Sequence, residues 1–161
     1  MGLRVSNLIH LEWPEVSLKK RLIVLDTEKV KNSYSLGIPL NQQAFEVLTK
    51  QNKQRKLHVP YVFYNREDKP YTKWGVYQTF KKACKKAGYP DYRFHDLRHD
   101  FCSKLVQAGV DIYTVKELAG HKDVTTTQRY AHLNPERLKQ GVSVLDYHSF
   151  IIVDQKGPTS K

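Results

Sequence analysis

The sequence predicts an α+β fold that is mainly helical, with a small antiparallel sheet near the N-terminus and a helical bundle after it. Two β-rich stretches, residues 22–25 and 34–40, flank a short polar turn over residues 29–33, which is typical of a hairpin. After residue 72, apolar residues recur at three- and four-residue spacing, which indicates amphipathic helices. Hydrophobic residues make up 40% of the 161 positions, enough for one buried core.

The N-terminal third is predicted to mix helix and strand. Residues 6–11 predict a short helix. We expect the second strand to be broken near Gly37 and Pro39, because both residues weaken a strand. Asn41 is a suitable N-terminal cap for the next helix. Residues 59–65 are rich in β-formers and predict a short edge strand.

A clear amphipathic helix is predicted over residues 72–87. Thr72 is a suitable cap, and Gly88 ends the helix. The apolar stripe of this helix comprises Trp74, Tyr77, Phe80, Cys84 and Ala87. Its opposite side carries Lys82, Lys85 and Lys86.

Four further helices are predicted from residue 95 onward. The first starts at His95 and ends at Gly109. Its predicted apolar face comprises Phe94, Leu97, Phe101, Leu105 and Ala108. Asp111 and Asp123 are suitable caps for the second and third helices, and residues 134–135 (Asn-Pro) indicate the start of the fourth.

We expect one domain over residues 1–148, followed by a tail over 149–161 that begins with a strand at 150–153. Cys84 and Cys102 fall on apolar-flanked helical segments, so both are predicted to be buried, reduced thiols of a cytoplasmic protein. No apolar run approaches the ~20 residues that span a bilayer, so the chain is not expected to be inserted in a membrane.

The charge of the chain indicates a polyanionic partner. The formal net charge is +11, and the isoelectric point is about 9.6. Nucleic acid is the first candidate partner and an anionic membrane surface the second, and composition alone does not separate them.

The residues that could carry chemistry lie between positions 95 and 130. Because each helical residue advances about 100°, His95, Arg98 and His99 flank the apolar face rather than join it. His121 follows a glycine at a helix–helix corner, and Tyr130 lies nine positions further on. Imidazoles, an arginine and a tyrosine are the groups needed to break a phosphodiester without a metal. A zinc hydrolase, with His95 and His99 as ligands, remains an alternative, although no third ligand is evident.

These motifs resemble those of the catalytic domain of tyrosine recombinases, the family of phage and mobile-element integrases. Residues 95–99 match its H-x-L-R-H pattern, residues 120–121 match its G-H corner, and Tyr130 stands in its Y-x-H-L ending. Residues 2–6 resemble the segment that bears its first arginine, and residues 31–41 resemble the hairpin that carries its lysine.

The resemblance implies site-specific DNA recombination through a 3′-phosphotyrosyl intermediate on Tyr130. It implies that Arg4 and Arg98 bind the scissile phosphate, with no cofactor and no metal. The family usually carries an acidic residue three positions after the first arginine, where this chain has Asn7.

The resemblance also implies groups that move protons. Lys31 would protonate the leaving 5′ oxygen, with Lys29 as the alternative, and His95 and His121 would handle the tyrosine proton. The partner would be double-stranded DNA and not a membrane. Because of their charge, Lys82, Lys85 and Lys86 on the 72–87 helix are candidate contacts to the DNA backbone, with a solvated helix face as the alternative.

A tetramer on DNA is expected from the resemblance, with the C-terminal segment as a possible contact between protomers. The family has further catalytic-domain helices and usually a separate core-binding domain before this region, so we expect the chain to be a fragment. The alternatives are a non-catalytic DNA-binding module of the same fold and a type IB topoisomerase-like enzyme.

Overall fold

Helices form most of the structure, a computed structural model that describes residues 2–26 and 35–146. Over these ranges the helices are α1 Val5–Ile9, α2 Gln42–Lys53, α3 Lys73–Lys86, α4 Asp96–Gln107, α5 Ile112–Ala119, α6 Thr125–Gln128 and α7 Glu136–Asp146. The strands are β1 Val16–Ser17, β2 Leu22–Leu25 and β3 Leu36–Pro39, and short 3₁₀ turns cover Trp13–Glu15 and Ala131–Leu133. The predicted fold class is confirmed.

The sheet has one face in the core and the other toward solvent. Its central strand β2 pairs antiparallel with β1 on one side and β3 on the other. Ile23 pairs with Ile38 and both are buried, whereas Val24 is 42% exposed. β3 continues through Gly37 and Pro39 without the expected break, because a proline that lacks an N–H fits an edge strand.

Polar side chains cap the N-termini of three helices at the positions that the sequence predicts. The Asn41 side chain accepts a hydrogen bond from the Ala44 N–H at the start of α2. The Thr72 hydroxyl accepts one from the Gly75 N–H at the start of α3. The Asp111 carboxylate accepts two at the start of α5. These bonds satisfy N–H groups that have no partner within the helix, and they confirm the predicted starts.

Residues 59–65 do not form the predicted edge strand. They run as a loop in which the Val62 N–H donates a hydrogen bond of 2.8 Å to the Leu11 carbonyl. Val59 and Val62 are both buried. The β-branched residues of this segment therefore fill the core from a loop, because the same side chains suit any half-buried extended backbone.

Two groups of buried side chains form the core. The first, around the sheet and α2, comprises Leu11, Trp13, Ile23, Leu25, Leu36, Ile38, Leu40, Leu48 and Val62. The second, around α4 and α5, comprises Cys102, Val106, Val115, Ala119 and Tyr130. Cys84 and Cys102 are buried free thiols, as predicted.

The buried faces of α3 and α4 differ from the predicted ones. On α3, Trp74 is 73% exposed and Tyr77 is 43% exposed, whereas Cys84 is buried. On α4, Leu97 is 43% exposed. The buried residues of α4 are Arg98, Cys102 and Val106, one position later than the predicted face. Periodicity indicates which residues share a face, but the neighbouring elements decide which face is covered.

The predicted fourth helix is α7, the last helix of the described residues. Its apolar residues Leu138 and Val142 are exposed. The expected turn at 29–33 and the expected strand and tail after residue 148 lie outside the described residues. Within the described ranges, no helix is long and apolar enough to cross a bilayer.

Candidate active site

Three segments that are distant in the sequence form one polar cluster beside the second core group. Its members are Arg4 from the segment before α1, His95, Arg98 and His99 from the start of α4, and His121 and Tyr130 from the segments on either side of α6. The pKa values of His95 and His121 are both affected by the charges of Arg4 and Arg98, which places these side chains within electrostatic reach of one another.

Arg98 is a buried cation with an incomplete set of hydrogen bonds. Its side chain is 5% exposed, and its Nη1 donates a hydrogen bond of 2.5 Å to the Gly2 carbonyl. Its Nη2 is buried and has no acceptor among the described residues. Burial, with a further contribution from the charge of Arg4, lowers the pKa of Arg98 to about 10, so the guanidinium stays charged at neutral pH.

Arg4 is exposed and links the N-terminal segment to the end of α5. Its Nη1 donates a hydrogen bond of 3.2 Å to the carbonyl oxygen of Gly120. Gly120 ends α5 with a left-handed φ of 65°. A Cβ at this position would lie 2.6 Å from Leu36 Cδ2, so both the turn and the packing favour glycine. Asn7, which replaces the acid usual in the family, is buried nearby on α1.

His121 is held in its neutral form directly after that glycine turn. It is 6% exposed, and its Nδ1 is hydrogen-bonded to the Thr127 hydroxyl oxygen at 2.7 Å. Burial lowers the pKa of His121 to about 4, and the charges of Arg98 and Arg4 contribute further. Because Nδ1 is engaged, Nε2 is the atom through which His121 can meet a ligand.

Tyr130 is buried between α6 and the following 3₁₀ turn, with 7% of its surface exposed. Its hydroxyl oxygen lies 2.5 Å from His99 Nδ1, to which it is hydrogen-bonded. Burial raises the pKa of the Tyr130 phenol, and Cys102 adds to this effect. The guanidinium groups of Arg129 and Arg98 act in the opposite direction, because a nearby cation favours the phenolate. The sequence predicts that the third helix, with Asp123 as its cap, carries Val124, Thr127 and Tyr130. This is wrong for Tyr130, because α6 ends at Gln128 and Tyr130 follows it.

His95 and His99 lie one helical turn apart at the start of α4. Their rings meet edge to face, with centroids 4.8 Å apart. Burial lowers the pKa of His95, and the neighbouring His99 contributes to the shift. Among residues 2–26 and 35–146, no group of three or more His, Cys, Asp or Glu side chains forms a metal site.

The structure thus brings together the five described residues that the sequence singled out as catalytic. Lys31 and its alternative Lys29 lie outside the described residues. The lysines expected to contact DNA, Lys82, Lys85 and Lys86, are exposed on α3. Their roles, like those of the five clustered residues, stay predictions at this point.

An open groove with a volume of about 450 Å³ lies between α3 and the segment before α4. Aromatic rings line it: Tyr77, Phe80, Tyr92 and Phe94. His95 also lines the groove, so the groove adjoins the polar cluster. Lys81 of α3 adds a positive charge to its lining.

The sequence does not predict the contacts that hold His121 and Tyr130 in place. The four-residue spacing of His95 and His99 indicates a shared helix face, but nothing in the sequence indicates that His99 is hydrogen-bonded to Tyr130. Thr127, which is completely buried, and Cys102 gave no signal, because their contacts with His121 and Tyr130 depend on the folded chain.

The chain belongs to the phage integrase family. The model of this family matches residues 1–137. The integrase of Salmonella phage P22 is 35% identical over 156 residues, which cover 90% of this chain and 40% of that protein. The tyrosine recombinase XerA of Pyrococcus horikoshii is 33% identical over 147 residues, which cover 88% of this chain and 50% of that protein.

Solved structures show the same fold. The Tn1549 transposon integrase in complex with transposon right end DNA superposes with a TM-score of 0.74 at 22% identity. The match covers 90% of this chain and 55% of that one. The chain therefore spans about half the length, or less, of the relatives to which it is similar.

Proposed function

We propose that the chain carries out site-specific DNA recombination, cutting and rejoining strands through a 3′-phosphotyrosyl intermediate on Tyr130. One observation carries this proposal: five side chains from three distant segments converge on one cluster, and each has a chemical role at a phosphodiester. The relatives named integrase and tyrosine recombinase, and the net charge of +11, support a DNA substrate. The DNA complex of the Tn1549 integrase supports it further.

The phosphate is bound by two guanidinium groups. Arg98 has an Nη2 with no acceptor among the described residues, and Arg4 is exposed beside it, so both can donate to non-bridging oxygens. A planar fork with permanent charge suits this task, because charge grows on these oxygens in the transition state. A preorganised donor of this kind contributes roughly 10²–10³ in rate.

Tyr130 attacks the phosphorus, and its phenolic oxygen takes the place of the 5′ oxygen, which leaves. The covalent link conserves the energy of the phosphodiester, so a new 5′ hydroxyl can reverse the step without ATP. We assign the proton for the leaving oxygen to Lys31, with Lys29 as the alternative. His121 donates through Nε2 to the phosphate, and His95 assists at the exposed edge of the cluster.

Double-stranded DNA is the proposed partner, with Lys82, Lys85 and Lys86 on α3 as contacts to its backbone. Recombination joins two duplexes through four cleavages, so we propose a tetramer on DNA, with the C-terminal segment between protomers. We also propose the cytoplasmic location predicted from the sequence, because DNA is the proposed substrate. We further propose that residues 1–148 form the catalytic domain and that 149–161 form its tail.

A nicked suicide duplex, whose cleaved end diffuses away, tests the proposal by trapping the covalent adduct. The wild-type chain is expected to form an adduct that maps to the peptide of Tyr130, and Tyr130→Phe is expected to bind DNA without forming it. Tyr113→Phe is the matched control, because Tyr113 is a 67% exposed tyrosine on α5 outside the cluster. Binding without any adduct from the wild type would instead identify a non-catalytic module.

Two further measurements sharpen the assignment. Arg98→Lys is expected to lose cleavage, because a point charge does not replace the fork; near-normal cleavage would contradict the phosphate-binding role. A plasmid relaxation assay run beside a two-site recombination assay separates a recombinase from a type IB topoisomerase-like enzyme, which would relax supercoils and produce no recombinants.

A further inference from the structure

We propose that His99 is a further catalytic residue, and that its Nδ1 accepts the proton of Tyr130 as the phenolic oxygen attacks phosphorus. This inference rests on the proposed function and assigns one step of it to a residue outside the set predicted from the sequence. A proton acceptor must lie within hydrogen-bond reach of the proton that it removes. His99 meets that condition, with 2.5 Å between Nδ1 and the Tyr130 hydroxyl oxygen.

The burial of Tyr130 favours a proton acceptor within the protein. Only 7% of the residue is exposed, and its hydroxyl oxygen is already hydrogen-bonded to His99. Burial also raises the pKa of the phenol, and at neutral pH the hydroxyl therefore keeps its proton until a base removes it.

The other two imidazoles of the cluster are less suited to this step. His121 uses Nδ1 to hold Thr127, and its pKa of about 4 makes it a weak base. His95 meets the His99 ring edge to face and is itself exposed. The His99 ring contacts both the His95 ring and the Tyr130 ring, and of the three imidazoles it is the one hydrogen-bonded to the phenol.

The proton and electron pairs balance within one displacement. In the tautomer that carries hydrogen on Nε2, His99 Nδ1 accepts the hydroxyl proton of Tyr130 and becomes imidazolium. The phenolic oxygen forms its bond to phosphorus while the bond from phosphorus to the 5′ oxygen breaks. The leaving oxygen takes a proton from Lys31, the proposed acid. Rejoining runs in reverse, and His99 returns the proton to Tyr130.

Several charged or titratable groups face this pair and enter any pH profile. They are His95, Asp96, Arg98 and Cys102 from α4 and its start, and Arg129 from the turn after α6. All of them remain unchanged in the variants below, so differences between profiles report on His99.

The variant His99→Asn tests whether His99 acts as a base or only as a hydrogen-bond partner of Tyr130. The asparagine amide occupies the place of Nδ1 and can hold the Tyr130 hydroxyl, but it does not take up a proton at neutral pH. We expect cleavage of the nicked duplex to fall by about 10²–10⁴-fold, the usual contribution of a general base, while DNA binding is unchanged. We also expect the remaining rate to rise with pH up to the alkaline range, because the phenol must then ionise unaided.

A substrate with sulfur in place of the leaving 5′ oxygen gives a second test. Sulfur leaves without a proton, so this substrate should restore cleavage to a variant that lacks the leaving-group acid but not to His99→Asn. His58→Asn is the matched control, because His58 is an exposed histidine bonded to Asp68 outside the cluster. Wild-type cleavage by His99→Asn, or its recovery on the sulfur substrate, would overturn the assignment.

A measurement that needs no turnover completes the test. Imidazole ¹⁵N shifts of the wild-type chain should show His99 with hydrogen on Nε2, and Tyr130→Phe should move the Nδ1 signal. A proton on Nδ1 would make His99 the donor and overturn the inference. A wild type without adduct overturns the proposed function and this inference together, whereas full cleavage by His99→Asn overturns this inference alone.

Discussion

The guanidinium of Arg98 donates a hydrogen bond of 2.5 Å to the carbonyl oxygen of Gly2, although 96 positions separate the two residues. Gly2 is buried, and a Cβ on it would lie 2.5 Å from the Phe101 ring. The N-terminal segment therefore approaches α4 so closely that a Cβ at this position would overlap the Phe101 ring, and the Gly2 carbonyl group orients the arginine assigned to the phosphate.

Gly2→Ala is expected to disturb both stability and chemistry. The added methyl must displace either the Phe101 ring or the Gly2 backbone, which typically costs about 1–3 kcal/mol in a packed site. A displaced carbonyl no longer orients Arg98, so we expect adduct formation to fall by roughly 10-fold or more, within the loss typical of one misplaced donor. Urea denaturation and the nicked-duplex assay measure the two effects.

Gly141→Ala is the control for this change. A Cβ on Gly141 would meet no atom within 4 Å, and the residue lies within α7. Alanine in a helix interior is favoured over glycine by about 0.5–1 kcal/mol, so this variant should be slightly more stable and equally active. If Gly2→Ala behaved in the same way, the close approach to Phe101 would have no functional meaning.

The buried His121 is expected to make the fold sensitive to mild acid. In the folded chain the pKa of His121 is about 4, whereas in the unfolded chain it returns to about 6.5. Between these values the unfolded state binds the proton and the folded state does not, so stability falls as pH falls from about 6.5 to about 4. Below about pH 4 this contribution levels off.

His121→Asn is the comparison, because its amide can keep the bond to Thr127 but does not titrate. The free energy of unfolding should decrease across this window by about 1–3 kcal/mol more for the wild type than for the variant. The pKa values of Asp111 and Asp123 are lowered, so these carboxylates lose their contribution only below their usual range near 3.8. Parallel curves for the two proteins would show that His121 does not titrate as expected.

The hydroxyl of Thr127 is expected to matter more for activity than its methyl group. Thr127→Val leaves His121 Nδ1 without its partner at 2.7 Å, and an unpaired buried polar atom costs about 1–3 kcal/mol. Thr127→Ser keeps the hydroxyl and loses one methyl, which costs about 1 kcal/mol. Stability therefore falls in both variants.

Adduct formation distinguishes the two substitutions. Thr127→Ser should cleave at close to the wild-type rate, and Thr127→Val should be slower because the His121 ring is free to turn. Equal cleavage rates for serine and valine would show that the hydrogen bond does not position His121.

The three lysines of α3 are expected to set the salt dependence of DNA binding. Each contact with a phosphate releases counterions, so replacing Lys82, Lys85 or Lys86 by alanine should reduce the slope of log K against log salt by about one. Lys69→Ala is the control, because Lys69 is exposed in a loop and paired with Glu67. A slope that does not change in any of the three variants would remove α3 from the DNA interface.

Local features of the sequence were sufficient for most helix boundaries. Asn41, Thr72 and Asp111 each cap a helix through a side chain that bonds backbone groups two or three positions away, and such contacts depend only on neighbouring residues. Gly88 and Gly120 adopt a left-handed backbone just after α3 and α5. Glycine favours this conformation at helix ends, which also depends only on the local sequence.

Features that depend on distant contacts were not predictable. Trp74 shares the predicted stripe of α3 but is 73% exposed, because no described element covers that part of the helix. Arg98 is buried where its guanidinium meets the Gly2 carbonyl, 96 positions away in the sequence, and such a contact has no local signal. The pairing of His99 with Tyr130 likewise exists only after the chain has folded.

The two arginines assigned to the phosphate also connect distant parts of the chain. Arg98 holds the carbonyl of Gly2, and Arg4 holds the carbonyl of Gly120, so the beginning of the chain is tied to the helical region by the same charges that would receive an anion. The charge of Arg4 contributes to the lowered pKa of Arg98, so the two cations lie close enough to repel each other. The proposed phosphate would neutralise both guanidinium groups, so we expect DNA binding to hold the N-terminal segment more firmly against the helical region.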